Sequence, residues 1–280
     1  MLDHMRISIS LTNFSWSGGL SGLLPVVLAA EDAGVDTVWV PDHLVQADPR
    51  ASLDEPMLEA YTTLGFLAAH TSRVRLGTMV TGAPYRPPAL LIKAVTTLDV
   101  LSGGRAWLGI GSGYHETEAS MMGLPMPPTA ERFERLEEIL QLAHRMWAGD
   151  ESPFEGRHFR LTRPLNIPNA TKRPPILIGG MGERKTLRYV AHYGDACNLP
   201  DIPDGGATLR RKLAVLAEHC AEAGRPFEDI EKTVSSRFDP ATLPARCDEL
   251  AELGIDHLVL ITTGPWTLDA VTALAATMGR

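Results

Sequence analysis

Two glycine-rich turns carry most of the chemistry that can be read from this chain. Residues 105–116 read RAWLGIGSGYHE, a short apolar run of strand type that leaves through Gly109, Gly111 and Gly113. Glycine has no Cβ and reaches φ > 0 without strain, so such an exit offers bare backbone to a flat ligand. A βα turn with no ligand is the plainer alternative, but a second turn of the same kind weighs against it. Residues 175–182, PILIGGMG, again run from a buried strand type into glycines, and Glu183, Arg184, Lys185 and Thr186 then open a helix. Free N–H groups at a helix start bind anions, which makes this second turn a candidate phosphate site.

Asp42 and His43 directly follow the strand-type run TVWV at 37–40. A carboxylate there can accept a hydrogen bond from a ligand, and the adjacent imidazole titrates near neutral pH. A helix cap beside a packed histidine is the alternative. His115 and Glu116 either reach a substrate mouth or cap the inserted helical region. Phe14 and Trp16, in the loop after the first strand, read as pocket wall or as packing on the first helix. Trp39 and Trp107, inside strands, read as core.

Familiar signatures fail on spacing. After Gly109 and Gly111, Tyr114 stands where a dinucleotide fingerprint needs its third glycine. GGMGERKT at 179–186 places Arg184 where a P-loop needs its second glycine, and Gly111-Ser112-Gly113 lacks the outer glycines of a nucleophile elbow. No HExxH and no His/Cys cluster of zinc spacing occurs, so no metal is expected.

The elements that must position these residues alternate. Strand-type runs at 6–11, 37–40, 74–80, 105–110, 176–178, 195–199, 230–235 and 257–261 are separated by helical patterns at 23–33, 57–70, 89–101, 131–147, 185–193, 209–223, 243–253 and 267–278. Thr81, Gly82, Pro84, Tyr85 and Arg86 read as loop. Eight strands with intervening helices predict an α/β fold of the (β/α)8 TIM-barrel type, whose sites gather at the C-terminal strand ends. Both glycine turns and Asp42-His43 lie at such ends. The stretch 114–174 is too long for a simple connection and reads as an insertion after strand 4, with a small hairpin or loop excursion near Phe154 and Phe159. One domain spanning 1–280 is expected.

Composition bounds the partners. A formal net charge of -8 repels nucleic acid and anionic membrane, so an anionic ligand has to be held by local donors. Cys197, Cys220 and Cys247 contain no CxxC pair and fit reduced thiols. The start lacks the apolar region of a secretory signal and no long apolar stretch follows, so a cytoplasmic protein is expected. Met1 to His4 read as a remnant ahead of the true start at Met5.

VWVPDH at 38–43, the stretch 53–116 from LDEPMLEAYTTLGFL to LGIGSGYHE, and PPILIGGMGERKTLRYVAHYGDACN at 174–198 together resemble the luciferase-like monooxygenase superfamily, and within it the branch of oxidoreductases that use the deazaflavin coenzyme F420. The resemblance implies a barrel, usually dimeric, that binds F420 or FMN at the strand C-termini, with a non-prolyl cis peptide at Met79-Val80 behind the ring. It implies that Asp42, Thr78, Met79, Val80, Gly111, Ser112 and Gly113 line the ring and its side chain, and that Gly179, Gly180, Met181 and Gly182 hold the phosphate. Sugar-phosphate dehydrogenases of the branch carry a tryptophan after the Asp-His pair and a glutamate after the glycine turn; here Ala47 and Tyr114 stand there, so that acid/base scheme does not carry over. His43, Tyr114 and His115 remain as candidate catalytic groups, with Phe14, Trp16 and Tyr85 as walls for a small organic substrate. Arg86, Lys172, Arg173, Arg184 and Lys185 are candidates for a polyanionic F420 tail. An FMN-dependent monooxygenase served by a separate flavin reductase, and a non-catalytic flavin or F420 carrier, are the alternatives.

Overall fold

The strand TVWV, β2 (Thr37–Val40), is buried at all four positions. Such an uninterrupted apolar run suits a parallel strand with the barrel interior on one face and helices on the other. In the computed structural model, which describes residues 5–48 and 50–279, it is one of eight staves. Met1 to His4 lie outside the described residues.

The staves are β1 (Arg6–Ser10), β2, β3 (Arg75–Thr78) continued by β4 (Thr81–Gly82), β5 (Ala106–Gly111), β8 (Ile176–Gly179), β9 (Ala196–Pro200), β10 (Glu231–Arg237) and β11 (His257–Ile261). Neighbours pair in parallel. β1 against β11 (Ile7 beside Leu258) and β3 against β5 (Leu76 beside Ala106) close the ring. This is the expected (β/α)8 barrel. The run read as one strand over 74–80 is broken, however: the Met79-Val80 peptide is cis, and Thr81-Gly82, expected in a loop, resumes pairing with β5 as β4.

Helices α1 (Leu23–Asp32), α2 (Ala60–His70), α3 (Pro88–Ser102), α6 (Thr186–Tyr193), α7 (Ala207–Glu222), α8 (Leu243–Glu252) and α9 (Leu268–Met278) alternate with the staves. α3 shows how its ends are written: Pro88 opens it, where a missing N–H costs nothing, and Gly103 closes it at φ 71°. The insertion between β5 and β8 holds α4 (Glu116–Met122), α5 (Thr129–Trp147) and the antiparallel pair β6 (Phe154–Glu155) and β7 (Arg160–Leu161). α5 buries Leu136, Ile139, Leu140, Ala143 and Trp147 at helical spacing.

Inside the barrel, Trp39 and Trp107 meet edge to face at 5.7 Å. With Leu177, Ala196 and Val259 they form a filled floor on which Met79 and Val80 pack. The tryptophans are core, as read. Above that floor the barrel is hollow.

Candidate functional site

The hollow starts at the bulge between β3 and β4. A Cβ on Gly109 would lie 1.7 Å from the Thr78 carbonyl oxygen, so only glycine lets the two strands come this close. Val80 then turns into the corner between β5 and β8, where a Cβ on Gly179 would lie 2.9 Å from its Cγ1. The glycine pattern read as bare surface for a ligand therefore serves in part to seat a valine.

Over the bulge lies a cavity of about 400 Å³, within the size range of small-molecule sites. Every stave contributes to it at its C-terminal end. Ser10 and Thr12 come from β1 and the loop after it, Asp42 and His43 from the loop after β2, and Met79 to Gly82 with Tyr85 from the third position. Gly111 to Tyr114 follow, then Gly179 and Gly180, Asn198, Ser235 and Ile261. The two glycine turns thus share one rim with the Asp-His pair.

Several expected residues sit elsewhere. Thr78 is buried beneath the cavity, donating to the Gly109 carbonyl at 2.8 Å. Met181 and Gly182 lie outside it, at the approach to α6; among the described residues neither of their N–H groups has a protein acceptor. His115 caps α4, its Nδ1 accepting from the Glu118 N–H at 3.0 Å, which is the capping alternative. Phe14 is fully buried in the core and Trp16 donates from Nε1 to the Trp266 carbonyl at 2.6 Å, so neither is a cavity wall, whereas Tyr85 is one. Of the candidate tail cations, Arg173 pairs with Asp195 at the opposite rim, ahead of β8, and Lys172 precedes it. Arg86 is committed to Asp42. Lys185 lies with Nζ 5.4 Å from the Phe133 ring centre, beside the second turn, and Arg184 is exposed next to it.

Around His43 the side chains are tightly specified. Glu118, fully buried at the third position of α4, accepts from His43 Nδ1 at 2.7 Å, from the Tyr85 hydroxyl at 2.9 Å and from the Leu44 N–H at 2.5 Å. Burial raises the Glu118 pKa, but the His43 hydrogen bond, the Leu44 N–H, the His43 charge and Tyr85 outweigh it and bring it down to about 2. The carboxylate is ionised and can only accept, so His43 carries a proton on Nδ1. Nε2 is thereby turned to the cavity, 3.4 Å from the Tyr114 hydroxyl. It can take a proton from a hydroxyl when neutral or give one to a carbonyl oxygen when charged. Burial and the Glu118 charge push the Tyr114 phenol up, and burial with the hydrogen bond to Glu118 pushes Tyr85 up, so both stay protonated donors.

Beside this pair, Asp42 is buried and held by both terminal nitrogens of Arg86, at 2.5 and 2.9 Å. Arg86 also reaches Glu59 at 2.7 Å and stacks over Tyr61. Among the described residues no group of three or more His, Cys, Asp or Glu could hold a metal ion. Sequence reasoning missed Glu118, Ser10, Thr12, Asn198 and Ser235. The one available signal for Glu118 was its place three residues after His115, the spacing of a helix cap and the residue above its first turn.

A relative from Kineococcus radiotolerans named F420-dependent glucose-6-phosphate dehydrogenase is 32% identical over 224 residues, covering 78% of this chain and 65% of that one. Dehydrogenases of the same name from other organisms match over 62 to 65% of their own length, so the chain spans just under two thirds of these curated relatives. Among solved structures, an F420-dependent secondary alcohol dehydrogenase in complex with an F420-acetone adduct superposes with a TM-score of 0.81 at 20% identity over 98% of both chains. The coenzyme F420 dependent tetrahydromethanopterin reductase from Methanopyrus kandleri superposes with a TM-score of 0.81 at 17% identity over 97% of both chains. The model of the family described as luciferase-like monooxygenase matches residues 5–261, and this chain belongs to that family.

Proposed function

We propose that this protein is an oxidoreductase that binds the deazaflavin coenzyme F420 and exchanges a hydride between it and a small organic substrate. The observation that carries the reading is the cavity itself: a hollow at the C-terminal rim, backed by the Met79-Val80 bulge and flanked by both glycine turns, with one histidine nitrogen facing into it. The names of the relatives support F420 over other redox groups.

The residues present fit such a group. Met79 and Val80 give a partly buried apolar face for a flat ring, and Gly111, Ser112 and Gly113 approach it with backbone. The free N–H groups of Met181 and Gly182, next to the start of α6, suit a phosphate, with Arg184 and Lys185 on the same side. When bound, the coenzyme supplies the hydride chemistry; the protein supplies placement and the proton. Asp42, fixed by Arg86, holds the rim of the site. His43, oriented by Glu118, handles the substrate proton at Nε2, and Tyr114 hydrogen bonds beside it.

Titration of the purified chain with F420 and with FMN, followed by fluorescence, tests the reading. Micromolar binding of F420 without FMN binding is expected. FMN binding with oxygen uptake during turnover overturns it in favour of a monooxygenase. We further infer that residues 1–280 form one domain, given the contiguous core, and that two copies pair through the flank where Phe66, Leu90, Val100 and Leu101 are exposed; sedimentation velocity checks the latter. No helix among the described residues is long and apolar enough to cross a membrane, and the three unpaired buried thiols suit the reducing cytoplasm.

A further inference from the structure

We propose that the His43 side of the cavity takes an alcohol or carbonyl compound and rejects phosphorylated ones. The proposal rests on the oxidoreductase reading for its reaction, but its charge selection depends only on side chains described above.

Three carboxylates cluster behind the His43 side of the cavity: Asp42, Glu118 and Glu59. A single guanidinium answers them. Arg86 spends both terminal nitrogens on Asp42 and shares one with Glu59. Three negative charges against one positive leave this wall net negative whether His43 is neutral or protonated. A phosphate brought beside it meets like charge in a partly desolvated hollow, where repulsion is poorly screened.

The rest of the wall gives a phosphate no counter-charge in return. Ser10, Thr12, Asn198 and Ser235 are neutral, Ile261 is apolar, and no lysine or arginine lines the cavity among the described residues. Nearby cations are engaged elsewhere. Arg132 turns its guanidinium to the Gly113 carbonyl and Thr129, behind the glycine turn. Arg246 is held by Asp201 and Glu249. Arg237, two residues beyond Ser235 on β10, is exposed and donates to Thr263 at 3.0 Å; a solvated arginine outside the hollow holds an anion weakly. Neutral oxygen chemistry, by contrast, is well provided for. His43 Nε2 and the Tyr114 hydroxyl stand 3.4 Å apart, long for a direct bond. One hydroxyl or carbonyl oxygen in front of them can bond to both.

The reaction this substrate class permits is balanced. A secondary alcohol gives up a hydride from its carbinol carbon and a proton from its hydroxyl, leaving a ketone; the oxidised deazaflavin is the two-electron acceptor and His43 Nε2 the first proton acceptor. The reverse reduces the ketone.

An isosteric series tests the charge selection by binding. Cyclohexanol, cyclohexyl phosphate and cyclohexylammonium are titrated calorimetrically at low ionic strength into the full chain, loaded with F420 if it binds and unloaded if it does not. Cyclohexanol is expected to bind at least about tenfold more tightly than cyclohexyl phosphate, and the ammonium, drawn by the net negative wall, to bind more tightly than the phosphate. Glu118→Gln, which removes one negative charge, is expected to narrow the gap to the phosphate, and Arg237→Ala to leave the order unchanged. Should Glu118→Gln fail to fold, Arg237→Ala and the unaltered chain still decide. Phosphate binding as tight as the alcohol, ammonium binding no tighter than the phosphate, or no binding of the alcohol overturns the proposal. Failure to bind F420 with the order retained removes the coenzyme reading alone, and F420 binding with phosphate preferred removes this one alone.

Discussion

At the N-terminal rim, where the staves begin, Asp36, Asp195, Glu231 and Asp256 are each paired with a base. His257, fully buried, contacts the Ser8 hydroxyl and donates from Nδ1 to Glu231 at 2.5 Å; Glu231 also meets Arg6 at 2.9 Å. Asp36 pairs with Arg75, Asp195 with Arg173 and Asp256 with Lys232. Burial raises Asp36, but Arg75 and His257 overcome this and keep it low. Beside His43 at the C-terminal rim, three carboxylates share one guanidinium, one histidine nitrogen faces a hollow, and two N–H groups of the second turn stand without acceptors among the described residues. The difference separates two uses of the same staves: one end satisfies its polar groups internally and holds the barrel shut, while the other leaves them for a ligand. Between the ends lies the tryptophan floor.

The sharpest way to break this division is at the level where floor gives way to hollow. Gly109→Ala places a methyl carbon 1.7 Å from the Thr78 carbonyl, backbone against backbone, with no side chain able to yield. A loss of more than about 4 kcal/mol is expected, read as insoluble or unfolded protein in a thermal melt. Gly111→Ala, facing a Val80 methyl at 3.1 Å, should fold with a smaller loss. Next in size is His257→Ala, which removes a fully buried side chain and leaves Glu231 with Arg6 alone and the Ser8 hydroxyl with only the Thr37 N–H. A loss of about 3–5 kcal/mol is expected from denaturant unfolding, with F420 affinity per folded molecule unchanged; altered affinity at preserved stability would mean that the two rims are not separable.

The two rims also differed in how far they could be read. β2 and β11 were legible to the residue, because a short apolar run bounded by turns has one solution. The run at 74–80 was not, since nothing in RLGTMV itself marks a break and only the family resemblance implied one at Met79-Val80; the close approach of Thr78 to Gly109 on the neighbouring stave lies in another segment. Phe14 and Trp16 were read as wall or packing, and packing prevailed because Trp266, 250 residues along, supplies the carbonyl that anchors Trp16. Asp42 and His43 were legible from their place after a strand. Their partners were not: ETEASMM looks like an exposed turn of helix, and Glu118 becomes buried only because the loop at 42–45 folds over it. Small polar residues such as Ser10, Asn198 and Ser235 look like any strand position until the barrel closes.

Glu118 also lets the chemistry of the upper rim be separated from its stability. Glu118→Gln keeps the shape but cannot enforce a proton on His43 Nδ1, because an amide both donates and accepts. Turnover with a secondary alcohol is expected to fall about 10- to 100-fold, within the usual range for disturbing a general acid or base. The fall should lie in kcat more than in KM, and the pH profile should shift with the altered imidazole. A change confined to stability would reduce Glu118 to a structural residue.

The smallest expected effect is the pH dependence that Glu118 gives to folding. Its folded pKa, about 2, lies below the ordinary 4.5. A carboxyl depressed on folding binds more protons when unfolded, so its contribution is fully present above 4.5 and is lost as pH falls through the folded value. By about pH 4 roughly 1 kcal/mol of it should be gone. Glu31, Asp36 and Glu59 are lowered too, so the raw acid limb is shared. The difference between the unaltered chain and Glu118→Gln isolates the one group, with His43, Tyr85, Tyr114 and Asp42 common to both. Urea midpoints should therefore converge as pH falls from 6 toward 4. Parallel curves across that window would show that the carboxylate gains nothing from its partners, and the upper rim would lose its one fixed point.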